Sequence, residues 1–121
     1  MAKKRVFIVD DESGFTRLLK LTLEKTGKYI VCEENDPTKA WLAAREFAPD
    51  IIFLDIVMPK VDGGGVGQQM RSDPALAEVP IIFLTAIVSQ TETKSDIGGF
   101  PFLAKPVSLE AITRCIEEHT G

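Results

Sequence analysis

The chain has 121 residues, of which 45% are hydrophobic and 26% charged, and its formal net charge is −4. This length and balance predict a single globular domain over residues 1–121, large enough to bury a core without disulfides. The acidic balance argues against direct nucleic-acid binding, and no run approaches the roughly 18 apolar residues of a membrane span. The two cysteines, without an export signal, predict reduced thiols and a cytoplasmic protein.

Short apolar segments separated by helical patterns set the predicted fold class. Solid runs of branched and aromatic residues are typical of strands buried on both faces, as in parallel sheets. The predicted strands are Arg5–Val9, Tyr29–Glu33, Ile51–Leu54, Ile81–Leu84 and Phe102–Ala104. Five strands alternating with five helices predict an α/β fold, a doubly wound three-layer sandwich with right-handed crossovers.

The first predicted helix runs from about Gly14 to Lys25, with Ser13 as its N-cap. Its apolar residues recur at the spacing of one helical face and are Phe15, Leu18, Leu19 and Leu23. In the second predicted helix, Trp41 lies beside the apolar stripe, which favours partly buried packing over contact with a ligand.

Two later segments depart from ordinary helical patterns. The glycine-rich stretch Asp62–Gly67 could cradle a phosphate, but no Gly-Lys-Ser/Thr follows, and Gln68 and Met70 occupy the place of the last glycine of G-x-G-x-x-G. It therefore predicts a loose entry into the third helix. The segment from Ser89 to Asp96 contains no apolar residue, which predicts a short or mobile fourth helix.

Polar side chains follow four of the predicted strands. They are Asp10, Asp11, Asp55, Thr85 and Lys105. Each alone is an ordinary turn residue, but the carboxyl ends of parallel strands share one edge of the sheet, where open α/β sheets bind ligands. Clustered carboxylates repel one another, and a hard divalent cation such as Mg²⁺ relieves this. One carboxylate could then attack a phosphoryl group, aided by an ammonium and a hydroxyl.

These motifs resemble the receiver domain of bacterial two-component response regulators, most of all the stand-alone receivers of chemotaxis. The resemblance covers about Lys4 to His119. It is carried by Val9-Asp10-Asp11, Leu54-Asp55-Ile56-Val57-Met58-Pro59 with Gly63, Leu84-Thr85-Ala86, and Lys105-Pro106. It implies a flavodoxin-like sandwich, with a five-stranded parallel sheet of order 2-1-3-4-5 and five helices.

The resemblance also implies a role for each site residue. Asp55 would accept a phosphoryl group from a histidine kinase, a phosphotransfer protein or a small phosphodonor. Asp11 would bind Mg²⁺ directly, Asp10 mainly through water, and the carbonyl of Val57 would supply another metal ligand beside Asp55. Lys105 would contact the phosphoryl group, and its peptide bond to proline is expected to be cis.

The same resemblance implies a conformational switch. Thr85 would move toward the phosphoryl oxygen, and Phe102, three residues before the lysine, matches the family's switch aromatic. Its rotation would change the face formed by the fourth helix, fifth strand and fifth helix, and so control an effector protein or an output domain. The residue pattern also allows Phe102 to be a plain core residue, and it leaves open whether phosphorylation drives dimerisation.

Two departures from the family pattern bear on function. Val57 and Ile87 occupy positions beside the phosphoryl site that are polar in many receivers. Apolar residues there should exclude the hydrolytic water, which predicts a long-lived aspartyl phosphate. The polar fourth-helix segment leaves the output face in question, because a partner could be needed to order it.

The residue pattern admits three functional classes. The chain is a signalling switch, a phosphatase of the haloacid-dehalogenase type, or a purely structural receiver-like module. Such phosphatases need a second acid two residues after the nucleophile, and Val57 stands there. The complete set of acids, hydroxyl and ammonium argues against the structural module. The sequence leaves open whether the chain is a stand-alone regulator or the receiver of a longer protein.

Overall fold

The computed structural model describes residues 2–55, 57–58, 61–86, 96–97 and 99–121. The strands are β1 (Lys4–Val9), β2 (Tyr29–Glu34), β3 (Ile51–Asp55), β4 (Val57–Met58), β5 (Val61–Asp62), β6 (Ile81–Thr85), β7 (Asp96–Ile97) and β8 (Phe100–Ala104). The helices are α1 (Ser13–Lys25), α2 (Ala40–Phe47), α3 (Gly63–Arg71) and α4 (Leu109–Thr120), and a 3₁₀ turn (Pro37–Lys39) precedes α2.

The main sheet has the order β2-β1-β3-β6-β8-β7. Its first five strands pair in parallel, which confirms the predicted five-stranded parallel sheet of order 2-1-3-4-5. The two-residue strand β7 pairs antiparallel with β8 and adds an edge strand that was not predicted. Strands β4 and β5 form a separate small antiparallel pair directly after β3.

Two apolar layers cover the central strands, as the three-layer prediction requires. The side chains of Val6–Val9 and Ile51–Leu54 are fully buried, because alternate residues face opposite layers and both layers are covered. One layer contains the buried residues of α1 and α4, and the other contains those of α2 and α3. This burial on both faces explains why these strands read as solid apolar runs.

The helix termini agree with the sequence in part. Ser108 caps α4, because its Oγ accepts a hydrogen bond of 3.0 Å from the backbone N–H of Ala111. The predicted Ser13 cap is wrong: Glu12 is the N-cap of α1, and Ser13 is already helical. The chain turns one residue earlier because the N–H of Glu12 donates to Oδ1 of Asp10 at 3.0 Å. The short or mobile fourth helix predicted over Ser89–Asp96 falls outside the described residues, except for Asp96, which lies in β7.

The apolar stripe of α1 is narrower than its spacing suggested. Leu19 and Leu23 are buried, but the side chain of Leu18 is 67% exposed. Phe15 is partly buried and packs against the layer that α1 and α4 share. Of the described helices, none is long and apolar enough to cross a bilayer.

One glycine of α3, Gly67, serves helix packing. A Cβ atom at Gly67 would lie 3.3 Å from the ring of Phe83 and 3.4 Å from that of Phe100. The centroids of these two rings lie 4.8 Å apart with their planes tilted by 38°, and the guanidinium of Arg71 lies 3.7 Å from the centroid of Phe100. The glycine therefore lets α3 approach an aromatic pair closely. The segment Asp62–Gly67, predicted as a loose entry into the third helix, is itself helical from Gly63 onward.

A buried carboxylate links α2 to the turn after α3. Trp41 is partly buried, as predicted, and its Nε1–H donates to Oδ2 of Asp73 at 2.7 Å. Nε of Arg45 lies 3.1 Å from the same oxygen, and the N–H of Ala75 donates to Oδ1. The Ala75 hydrogen bond, against some opposition from burial and with help from Trp41 and Arg45, lowers the pKa of Asp73.

Replacing Asp73 by Asn should lower the free energy of unfolding at pH 7, because charge-assisted hydrogen bonds are lost. A lowered folded-state pKa stabilises the protein above the unfolded pKa, and this contribution disappears as the pH falls through the folded value. Below about pH 3.8 the difference between wild type and Asp73→Asn should therefore shrink. Urea unfolding followed by circular dichroism at pH 7 and pH 3 measures it. Glu78→Gln, at an exposed position nearby, should behave as wild type at both pH values.

Candidate functional site

The predicted strand-end residues meet at one edge of the sheet. Asp10 follows β1, Asp55 ends β3, Thr85 ends β6 and Lys105 follows β8. Val9 pairs with Leu54, so the two aspartates follow neighbouring positions in adjacent strands. At the end of the β6–β8 pair, the backbone N–H of Lys105 donates to the carbonyl of Thr85 at 2.8 Å. The register of four parallel strands thus gathers these side chains, although they are distant in sequence.

Three carboxylates form a compact group at this edge. Asp10, Asp11 and Asp55 each offer an oxygen, and these oxygens all lie within 4.8 Å of one another. Asp10 is fully buried and Asp55 is 5% exposed, whereas Asp11 is exposed. Burial lowers the local dielectric and strengthens their mutual repulsion. A donor set of clustered carboxylate oxygens with one side open to solvent fits a hard cation that keeps several waters, such as Mg²⁺.

The ammonium of Lys105 lies within this acidic group. Its Nζ is 2.6 Å from Oδ2 of Asp10, 3.5 Å from Oε1 of Glu12 and 3.7 Å from Oδ2 of Asp55. The side chain is 13% exposed. Burial disfavours the charged lysine, but the hydrogen bond and charge of Asp10, together with the charges of Asp55 and Glu12, outweigh burial and raise the pKa of Lys105. The lysine is therefore a fixed positive charge beside Asp55.

The remaining predicted residues are placed as follows. Thr85 is buried at the end of β6, and the peptide bond between Lys105 and Pro106 is cis, as predicted. Phe102 is partly buried in β8, where it pairs with Phe83 of β6 and packs against the layer of α2 and α3. Val57 lies in β4, two residues beyond Asp55. Ile87 lies outside the described residues.

Sequence reasoning missed two polar residues that shape the site. Nδ2 of Asn35 donates to the carbonyl of Asp10 at 2.7 Å and to Oγ1 of Thr16 at 2.8 Å, which ties the end of β1 to α1. Glu12 is the N-cap of α1 and reaches Lys105. Asn35 directly follows β2, so it would have been found if the polar residues after this strand had been considered together with those after the other four. Glu12 carries no such signal.

Comparisons with known proteins agree with this arrangement. A family model described as "Response regulator receiver domain" matches residues 6–117. The chain is 38% identical to a "Probable transcriptional regulator ycf27" of Guillardia theta, over 98% of this chain and 47% of that protein. It is 37% identical to the "DNA-binding dual master transcriptional regulator RpaA" of Synechocystis, over 88% of this chain and 44% of that protein.

The fold has close counterparts among solved structures. The chemotaxis protein CheY4 of Vibrio cholerae superimposes with a TM-score of 0.84 at 25% identity, covering 97% of this chain and 98% of that one. The chain spans about half the length of the curated relatives that it matches. The similarity to those relatives is therefore a similarity to one part of each.

Proposed function

This chain belongs to the response regulator receiver domain family, whose members are phosphoacceptor switches of two-component signalling rather than conventional enzymes, and we propose that Asp55 is its phosphoacceptor. The observation that carries the proposal is the position of the Lys105 ammonium, 3.7 Å from the carboxylate of Asp55 within a buried acidic group. An ammonium so placed can neutralise charge on a phosphoryl group that arrives at Asp55.

The transfer needs few protein groups. A carboxylate oxygen of Asp55 bonds to phosphorus while the bond from phosphorus to the donor's leaving atom breaks, and the leaving group departs with that electron pair. The product is a mixed anhydride of carboxylate and phosphate. Lys105 stays protonated because its raised pKa favours the charged form. The hydroxyl of Thr85, at the end of the adjacent strand, is the donor we assign to a phosphoryl oxygen.

We assign Mg²⁺ to the oxygens of Asp10, Asp11 and Asp55, with the backbone carbonyl of Val57 as a further ligand. The grouping of the three carboxylates supports this assignment. When bound, Mg²⁺ supplies positive charge that offsets the carboxylates and the phosphoryl oxygens. The exposed Asp11 can reach the cation directly, whereas the buried Asp10 is already paired with Lys105, which favours contact through water.

The partners we propose follow from the family. A histidine kinase or phosphotransfer protein would supply the phosphoryl group, and an effector protein or output domain would read the change. Both relatives described above are named as transcriptional regulators. Phe102 lies on β8 opposite Phe83, two residues before Thr85 on the neighbouring strand β6, which is a position suited to relaying a movement of that threonine. The long lifetime of the aspartyl phosphate stays a prediction.

Incubation with acetyl phosphate and MgCl₂ tests the proposal directly. We expect the intact mass to increase by one phosphoryl group, and borohydride reduction with peptide mapping should locate it on Asp55. Asp55→Asn should gain none, and chelation of Mg²⁺ should prevent the gain in wild type. Asp50→Asn, at an exposed aspartate after α2, is the matched control and should be phosphorylated normally.

Two results would contradict the proposal. Phosphorylation of Asp55→Asn at the wild-type rate would place the acceptor elsewhere. Steady hydrolysis of simple phosphate esters would indicate a phosphatase instead of a switch, because a switch retains its phosphoryl group and turns over only its own anhydride.

A further inference from the structure

The aromatic ring of Phe15 faces the lysine of the site. Nζ of Lys105 lies 4.7 Å from the centroid of this ring. That distance is within the roughly 6 Å over which an ammonium is attracted to the negative face of an aromatic ring. The spacing of α1 predicted only that Phe15 belongs to the apolar stripe of the helix. Its contact with a buried cation gives it a second role.

The first turn of α1 holds this ring in place. Glu12 and Phe15 are three residues apart and therefore lie on the same side of the helix, and both reach Lys105. Thr16, the next residue, is fully buried, and its hydroxyl accepts a hydrogen bond from Asn35. The turn that carries Phe15 is thus anchored to the ends of β1 and β2.

Lysine has a long and flexible side chain, which costs free energy to hold in one conformation. The ammonium of Lys105 lies 2.6 Å from Oδ2 of Asp10. In this position it is 3.7 Å from Oδ2 of Asp55. To serve a phosphoryl group, the ammonium must loosen this ion pair without leaving the site. The ring of Phe15 attracts the ammonium but carries no net charge, so it can keep Lys105 near Asp55 without competing as a carboxylate does.

We propose that Phe15 is a positioning residue, which holds the Lys105 ammonium beside Asp55 through a cation–π contact. The proposal rests on the proposed function of Asp55 and extends it to a residue that touches neither the phosphoryl group nor the metal. The alternative role for Phe15 is apolar packing alone, against the buried residues of the layer that α1 and α4 share. The two roles differ in whether the ring's π face matters.

Substitutions that separate the π face from apolar bulk test the proposal. Phe15→Leu keeps an apolar side chain and removes the ring, whereas Phe15→Tyr keeps the ring. With acetyl phosphate and saturating Mg²⁺, we expect Phe15→Leu to lower the phosphorylation rate constant about fivefold, and Phe15→Tyr to stay near wild type. Leu18→Ala, at an exposed position one turn further along α1, is the matched control and should not change the rate.

A double-mutant cycle shows whether the effect passes through the lysine. In a Lys105→Met background, Phe15→Leu should cause no further loss, because the cation that the ring holds is absent. A fivefold loss in that background as well would overturn the proposal. So would equal losses in Phe15→Leu and Phe15→Tyr, since both would then reflect packing.

A second readout does not depend on phosphorylation. In NMR spectra of Mg²⁺-free wild type, the ring current of Phe15 should shift the Hε resonances of Lys105 upfield. These resonances are assigned to Lys105 because they are absent from the spectrum of Lys105→Met. The shift should disappear in Phe15→Leu and persist in Phe15→Tyr, and its absence in wild type would overturn the contact. If wild type accepts no phosphoryl group, the proposed function fails, while this measurement still decides the contact between Phe15 and Lys105.

Discussion

Lys105→Met should slow phosphorylation of Asp55 by acetyl phosphate about a hundredfold, since removing one positioned donor to a developing charge typically costs that much. The same change should tighten Mg²⁺ binding, because the ammonium that lies 2.6 Å from Asp10 and 3.7 Å from Asp55 repels the metal ion. Slower phosphorylation together with tighter Mg²⁺ binding is the pattern expected of a residue that acts on the phosphoryl group. Rates from intact mass and affinities from titration calorimetry measure the two effects.

The loss of Lys105 should also affect stability. Without its partner the fully buried Asp10 keeps an uncompensated charge, which should lower the free energy of unfolding by about 3 kcal/mol. Saturating Mg²⁺ should restore much of this, because it replaces the missing positive charge. Lys28→Met removes an exposed lysine that is not part of the site, and it therefore controls for the change in net charge. An unchanged phosphorylation rate in Lys105→Met would contradict the role that we assign to the lysine.

Phe53→Ala should destabilise the fold more than any other change considered, by about 4 kcal/mol. Phe53 is fully buried in β3 and packs in the layer shared with α1 and α4, so its truncation leaves a cavity that a central strand cannot collapse to fill. This is a large share of the roughly 5 to 15 kcal/mol by which small domains are stable. Urea unfolding followed by circular dichroism measures the loss.

An edge-strand residue provides the comparison for this prediction. Ile30, in β2 at the edge of the sheet, is 39% exposed, and Ile30→Ala should therefore cost much less than Phe53→Ala. Similar losses in the two variants would mean that the centre of the sheet is not the stability core. Under conditions in which Phe53→Ala is folded, its phosphorylation rate should stay close to that of wild type, because the side chain of Phe53 lies within the apolar layer.

The site could be predicted largely from sequence, because a parallel sheet converts sequence position into spatial position. Once β1, β3, β6 and β8 are recognised as parallel strands, the residues that follow them must share one edge. Asp10, Asp55, Thr85 and Lys105 were found in this way, and the structure brings them together. The capping of α4 by Ser108 is likewise a local feature, because it joins residues only three positions apart.

The helices show where local patterns were insufficient. The spacing of Leu18 suits the apolar stripe of α1, yet its side chain is largely exposed, because the width of a buried helix face depends on how the helix sits on its neighbours. The sequence favoured Ser13 as the cap, but the hydrogen bond from the N–H of Glu12 to Asp10 makes Glu12 the N-cap, and α1 begins at Ser13. The pairing of β7 with β8 joins a two-residue strand to the sheet edge, and a segment so short has no readable periodicity.

By itself, the sequence determined the class of fold, the parallel strands and the polar residues at their ends, since these follow from apolar runs and from the geometry of parallel pairing. Only the tertiary structure decided how those groups interact. The ion pairs of Lys105, its contact with Phe15 and the anchoring of α1 by Asn35 join residues from separate elements. Such contacts depend on distances of a few ångströms between packed helices and strands, and no spacing along one segment encodes them.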